Sequence, residues 1–121
     1  MSEKMTEDLE KTLAEVQMQN QQLQEIVRQK QLMAIQKAEI EKALEELEKS
    51  EDSVYRSLGP ILIKQPKDAV KKDLEEMVEH MDVRTKALEK QEERIKEALK
   101  SSQSRLQSLI KRPPPSQVTA A

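Results

Sequence analysis

The stretch Val54-Tyr55-Arg56-Ser57-Leu58-Gly59-Pro60-Ile61-Leu62-Ile63 decides the fold. Val54 to Leu58 alternates, with Val54, Arg56 and Leu58 on one face. Gly59-Pro60 is a turn signal, because Gly tolerates positive φ and Pro fixes its own. Ile61-Leu62-Ile63 is apolar on both faces, as in a strand covered on both sides. The segment therefore reads as a β-hairpin spanning about 54–64. A lone two-stranded hairpin is marginal in water, and its outer edges leave N–H and C=O groups unpaired. Partners are expected to complete it.

The chain on either side reads as helix. Gly and Pro are absent from about 6–49, where the strong helix formers Leu, Glu, Gln, Lys and Ala dominate. Glu7 and Asp8 suit the dipole of a first turn. Apolar residues recur at Leu9, Leu13, Val16, Leu23, Ile26, Met33, Ile40, Leu44 and Leu47. With Asn20, Lys30 and Lys37 in the gaps they form a heptad seam that contracts once, near Leu23. Ser50-Glu51-Asp52-Ser53 ends the helix. A second helix is expected over 66–111, opened by Pro66 with Asp68 in its first turn. Its seam runs Val70, Leu74, Met77, Met81, Arg84, Leu88, Gln91, Ile95, Leu99, Ser102, Leu106 and Leu109, and loosens once, around Ile95. Lys111 and Arg112 favour a helix end, and Pro113-Pro114-Pro115 stops it. Residues 113–121 read as a disordered tail.

Folding at the hairpin sets Leu47 against Val70, Leu44 against Leu74 and Ile40 against Met77, with Leu23 near Ile95. Both irregularities then fall at one height. The expected fold is mainly α: a long antiparallel two-helix coiled coil joined by a central β-hairpin, one domain over 1–121. Each arm of about 43 residues would reach about 65 Å, with the termini together at the far tip.

Composition agrees. Charged residues make up 36% of the 121 residues and aromatics 1%, which suits long helices and not an aromatic core. The net charge of −2, from 21 basic and 23 acidic residues, lacks the basic field of a nucleic-acid binder. There is no Cys, hence no disulfide or thiolate chemistry. No apolar run approaches the roughly 18 residues of a membrane span, and Met1-Ser2-Glu3-Lys4 opens no signal peptide. A soluble, cytoplasmic protein without membrane contact is expected. Nothing resembles a nucleophile–base pair or a Gly-rich phosphate loop, so no enzyme and no cofactor are expected. His80 has no second His or Cys to share a metal.

Val54 to Lys64, together with Lys90-Gln91-Glu92-Glu93-Arg94-Ile95, resembles the β-type subunits of prefoldin, the GimC chaperone. The resemblance extends from Leu9 to Leu109. It implies a hexamer of two α-type and four β-type subunits, joined by hairpins into two β-barrels. Six coiled-coil arms would bind unfolded polypeptides without ATP and pass them to a group II chaperonin. The single hairpin fits the β type, and the balance of Lys and Glu suits an archaeal source.

Two residue sets carry these expectations. Val54, Tyr55, Leu58, Gly59, Ile61, Leu62 and Ile63 form the oligomerisation hairpin; capping of their own coiled coil is the simpler role. Met5, Leu9, Leu13, Val16, Leu106, Leu109 and Ile110 form a client-binding tip, or else an ordinary seam. Lys64, Lys67, Lys71 and Lys72 read as a solvated face or as inter-subunit salt bridges. A structural coiled-coil spacer or adaptor that scaffolds folded partners is the alternative function.

Overall fold

The computed structural model describes residues 3–111. Arg112, the three prolines and the expected tail lie outside the described residues. In chain order the elements are α1 (Glu3–Glu48), β1 (Ser53–Leu58), β2 (Ile61–Pro66) and α2 (Lys67–Lys111). Helix α1 begins three residues before the expected start, because Glu3, Lys4 and Met5 are themselves good helix formers and Glu3 supplies the first-turn acid. Pro66 closes β2 instead of opening α2, and Asp68 lies in the first turn of α2. At a strand end a missing N–H costs no ladder bond.

The hairpin pairs Leu58 with Ile61, Arg56 with Ile63 and Val54 with Gln65. Only Gly59 and Pro60 are left between the strands. Gly59 has φ +59° and Pro fixes a negative φ. That order of signs belongs to a type II′ turn, whose twist matches the flanking strands. A Cβ on Gly59 would meet no atom within 4 Å, so conformation alone makes Gly necessary. Gly59→Ala is expected to destabilise the hairpin by about 1–2 kcal/mol. Gly59→Asn should cost less, a difference readable in thermal melts.

The contacts divide the chain into two compact units. One is Gln29–Leu88; the other joins the chain up to Arg28 with the chain from Glu89. In Gln29–Leu88 the helices run antiparallel. Lys37 meets Asp82 at 2.7 Å, Glu48 meets Lys71 at 2.7 Å, and the Thr85 hydroxyl donates to Met33 Sδ at 3.8 Å. In the other unit Glu15 meets Arg105 at 3.7 Å.

Burial along each helix is more regular than the expected seams. On α1 a shielded row runs through Met5, Leu9, Thr12, Val16, Gln19, Leu23, Ile26, Lys30, Met33, Lys37, Ile40, Leu44 and Leu47, with Glu15 and Gln29 half-buried beside it. The spacings of three and four alternate without a break. Thr12 and Gln19 hold the places expected for Leu13 and Asn20, and Leu13 is 45% exposed. On α2 Val78, Thr85 and Glu92 replace Met77, Arg84 and Gln91, which are exposed. The two seam irregularities are therefore absent. A helix fixed in phase by Leu9, Val16, Leu23 and Ile26 keeps one period and accepts a polar layer, because moving Leu13 inward would mean overwinding the backbone. The aligned irregularities thus do not support the register; the ion pairs do, setting Glu48 beside Lys71 and Lys37 beside Asp82, and the Thr85–Met33 hydrogen bond agrees.

The seam is thin. Among the described residues only Val16, Ile26, Leu47, Leu88 and Leu99 are buried apolar residues, and Thr12, Glu92 and Ser102 are buried as well. Polar groups at seam positions select register at some cost in stability.

Candidate functional site

The hairpin leaves the helices at a junction built on Lys67. Helix α1 carries no basic residue in its last turn. Its end is closed by Lys49 N–H to Glu46 O at 3.2 Å, Ser50 N–H to Leu47 O at 3.0 Å and Ser50 Oγ to Glu46 O at 2.9 Å. Lys67 then donates from Nζ to Glu48 O (3.1 Å) and Ser50 O (3.2 Å), while its N–H bonds Asp52 O at 2.8 Å. One residue caps the negative end of α1 and begins α2. The cation expected from the last turn of α1 comes from the other helix, which is why the sequence of α1 alone does not reveal it. Lys67→Met is expected to lower stability by about 0.5–1 kcal/mol, with hydrogen exchange rising first at residues 46–52.

Beside it, Lys71 bonds Glu48, and Arg56 of β1 reaches Asp73 Oδ2 at 3.2 Å. Lys67 and Lys71 are thus engaged within the chain. The Lys71 hydrogen bond holds the Glu48 carboxyl below its usual range, and Glu48 holds the Lys71 ammonium above its own. Lys37 is raised in the same way, chiefly by its hydrogen bond to Asp82. The Glu48 contribution is present above the ordinary carboxylate range and is lost as pH falls through the lowered value. The Lys37 and Lys71 contributions are present below the ordinary lysine range and are lost as pH rises through the raised values. Melting temperature should therefore be flat near neutrality and fall on both sides. Exposed pairs are screened, so the acid limb should be shallower in high salt and in Glu48→Gln.

The paired register of the hairpin gives it two faces. Val54, Arg56, Leu58, Ile61, Ile63 and Gln65 share one; Tyr55, Ser57, Leu62 and Lys64 share the other. Val54, Arg56 and Gln65 are half-buried. Towards the turn both faces are open: Leu62 is 68% exposed and even Ile63 is 38% exposed, with Tyr55, Leu58 and Ile61 exposed as well. The chain leaves Tyr55, Leu58, Ile61, Leu62 and Ile63 uncovered.

At the other expected site, Met5, Leu9, Leu106 and Leu109 are half-buried and Val16 is buried in the seam. Leu109 lines a cavity with Asp8, Lys11, Thr12, Glu15 and Arg105. Leu13 and Ile110 (65% exposed) lie outside the seam. The expected tip residues therefore separate into packed ones and two that are already available. His80 is on an exposed helix face. Among the described residues no group of His, Cys, Asp or Glu is placed to hold a metal ion, and no helix is long and apolar enough to cross a membrane.

A long helix, an exposed hairpin and a second long helix are the plan of a known family, and residues 10–112 match the one described as Prefoldin subunit. The chain belongs to the prefoldin family. The prefoldin subunit beta of Thermococcus kodakarensis is 38% identical over 104 residues, covering 84% of this chain and 88% of the relative. That of Archaeoglobus fulgidus is 38% identical over 100 residues, covering 81% and 86%. The crystal structure of the prefoldin beta subunit from Thermococcus strain KS-1 superposes with a TM-score of 0.77 at 37% identity, covering 88% of this chain and 94% of that one. The chain is thus a prefoldin chaperone subunit of the β type, an identity that implies assembly with other prefoldin subunits.

Proposed function

We propose that residues 1–121 act as one β-type domain of an ATP-independent holding chaperone. Four such chains join two α-type subunits through their hairpins into a cytoplasmic hexamer. The complex binds unfolded polypeptides, prevents their aggregation and passes them to a group II chaperonin. The work is holding and needs no cofactor.

The observation that carries this reading is a hairpin with open apolar residues on both faces, in a chain of this family. Burying each of these side chains between subunits would contribute roughly 1.5–3 kcal/mol, whereas large exposed apolar patches are rare on proteins that work alone. The thin seam supports the rest. Helix ends with few buried contacts open most easily, and Met and Leu side chains adapt to irregular apolar surfaces. Several weak contacts on one client then add through multivalency.

The test is light scattering of a chemically unfolded test protein diluted into the assembled complex without nucleotide. Suppressed aggregation of several unrelated clients is expected. A complex that leaves all of them to aggregate is a spacer or adaptor, and the holding reading falls.

A further inference from the structure

Within the unit Gln29–Leu88, a groove of about 220 Å³ lies away from both the hairpin and the helix ends. It is lined by Gln29, Leu32, Met33 and Gln36 of α1 and Arg84 of α2. Leu32 is 46% exposed, and Ile35, also exposed, follows one turn later on the outer surface of α1. Apolar side chains outside a two-helix seam contribute nothing to that seam.

Among the residues that line the groove, Arg84 is the charged one. Between Glu25 and Glu39, α1 contains Arg28, Lys30 and Lys37 and no acid, in a chain that is acidic overall. The nearest acids are already engaged: Glu25 by Arg28, and Asp82 by Lys37. One turn on either side of Arg84 stand His80, Met81, Ala87 and Leu88, none of them acidic. The groove thus offers a guanidinium without a neighbouring helix acid, two apolar walls, and the Gln36 amide to bond a peptide backbone. An Arg fork matches a carboxylate better than any other side chain does.

We propose that this groove is a peptide subsite that takes an extended segment in which an apolar side chain adjoins a carboxylate. Leu32 and Met33 receive the apolar group, Arg84 the carboxylate. The proposal rests on the holding reading and adds to it a preference among client segments: acidic–apolar sequences are retained over basic–apolar ones of equal hydropathy.

Fluorescence anisotropy of labelled peptides on the assembled complex tests it, using alternating Leu–Glu, Leu–Gln and Leu–Lys decamers. Leu–Glu should bind best, by a margin that shrinks in high salt. Arg84→Gln should weaken Leu–Glu about 3–10-fold and leave Leu–Gln unchanged; Leu32→Gln should weaken both. Both positions are exposed, so helicity and mass should not change. An Arg84→Gln complex that keeps the wild-type order of the three peptides overturns the proposal. So does dimerisation of the unassembled chain that Arg84→Gln abolishes, which would assign the groove to a second copy. If the wild type suppresses aggregation while the peptide order is insensitive to Arg84, the subsite alone falls. If it suppresses nothing, the holding reading falls with it.

Discussion

Ile61→Asp should yield a helical, folded chain that no longer assembles. Ile61 is exposed on the hairpin opposite Leu58, on the face that also carries Val54 and Ile63. In the isolated chain the new carboxylate would stand in water and cost little. In an assembly it would replace an apolar contact with a charge, and an unpaired buried charge costs several kcal/mol or more. In the proposed hexamer the contact recurs in every β-type copy, so the penalty is multiplied. Ile63→Asp should act in the same direction, but Arg56 lies directly across the ladder and could neutralise part of the charge, so its effect should be smaller. Leu62→Asp probes the opposite face and should also prevent assembly if both faces are covered. Light scattering of each variant mixed with an α-type subunit reads the mass. A complex of wild-type mass carrying Ile61→Asp would place the interface elsewhere.

Elements were more legible in the sequence than phases. Gly59-Pro60 between alternating apolar residues marks a hairpin because its turn chemistry is local. The helices are legible because forty-odd residues without Gly or Pro leave the backbone little alternative. The seam is less so. Leu13 is more apolar than Thr12, and choosing the stronger hydrophobe there shifts the phase by one. A coiled coil is decided over many turns together, and one continuous period outweighs one better side chain. Glu92 is buried at a position where no residue-by-residue reading would place a carboxylate. Lys67 illustrates the other gap. Its partners, the carbonyls of Glu48 and Ser50, are backbone groups nineteen and seventeen residues away, and no side-chain pattern encodes them. The hairpin and tip residues were findable by type. Which of them stand free, such as Leu62, Leu13 and Ile110, depends on packing that only the folded chain defines.

Removing about ten residues from each terminus should leave assembly intact and strip most of the holding capacity. The deletion takes Met5 and Leu9 from the start of α1 and leaves the hairpin and its Lys67 junction untouched. Leu106 and Leu109 then lose the turn of α1 against which the end of α2 packs. A finer variant separates exposure from packing. Leu13→Ser with Ile110→Ser removes two side chains that stand outside the seam, so helicity and melting temperature should barely change. If clients are gripped by groups already exposed, this double variant should need roughly 3–10-fold more complex for equal suppression of aggregation, because small losses per arm multiply when several arms hold one chain. If clients are gripped by seam residues freed when the ends fray, the double variant should behave as wild type and only the deletion should fail. Hydrogen exchange distinguishes the two in the free complex: fraying predicts fast exchange of amides near Leu9 and Leu106 relative to those near Leu47 and Leu88. Unchanged suppression in both variants would move the client site off the helix ends, towards the groove of Leu32 and Arg84.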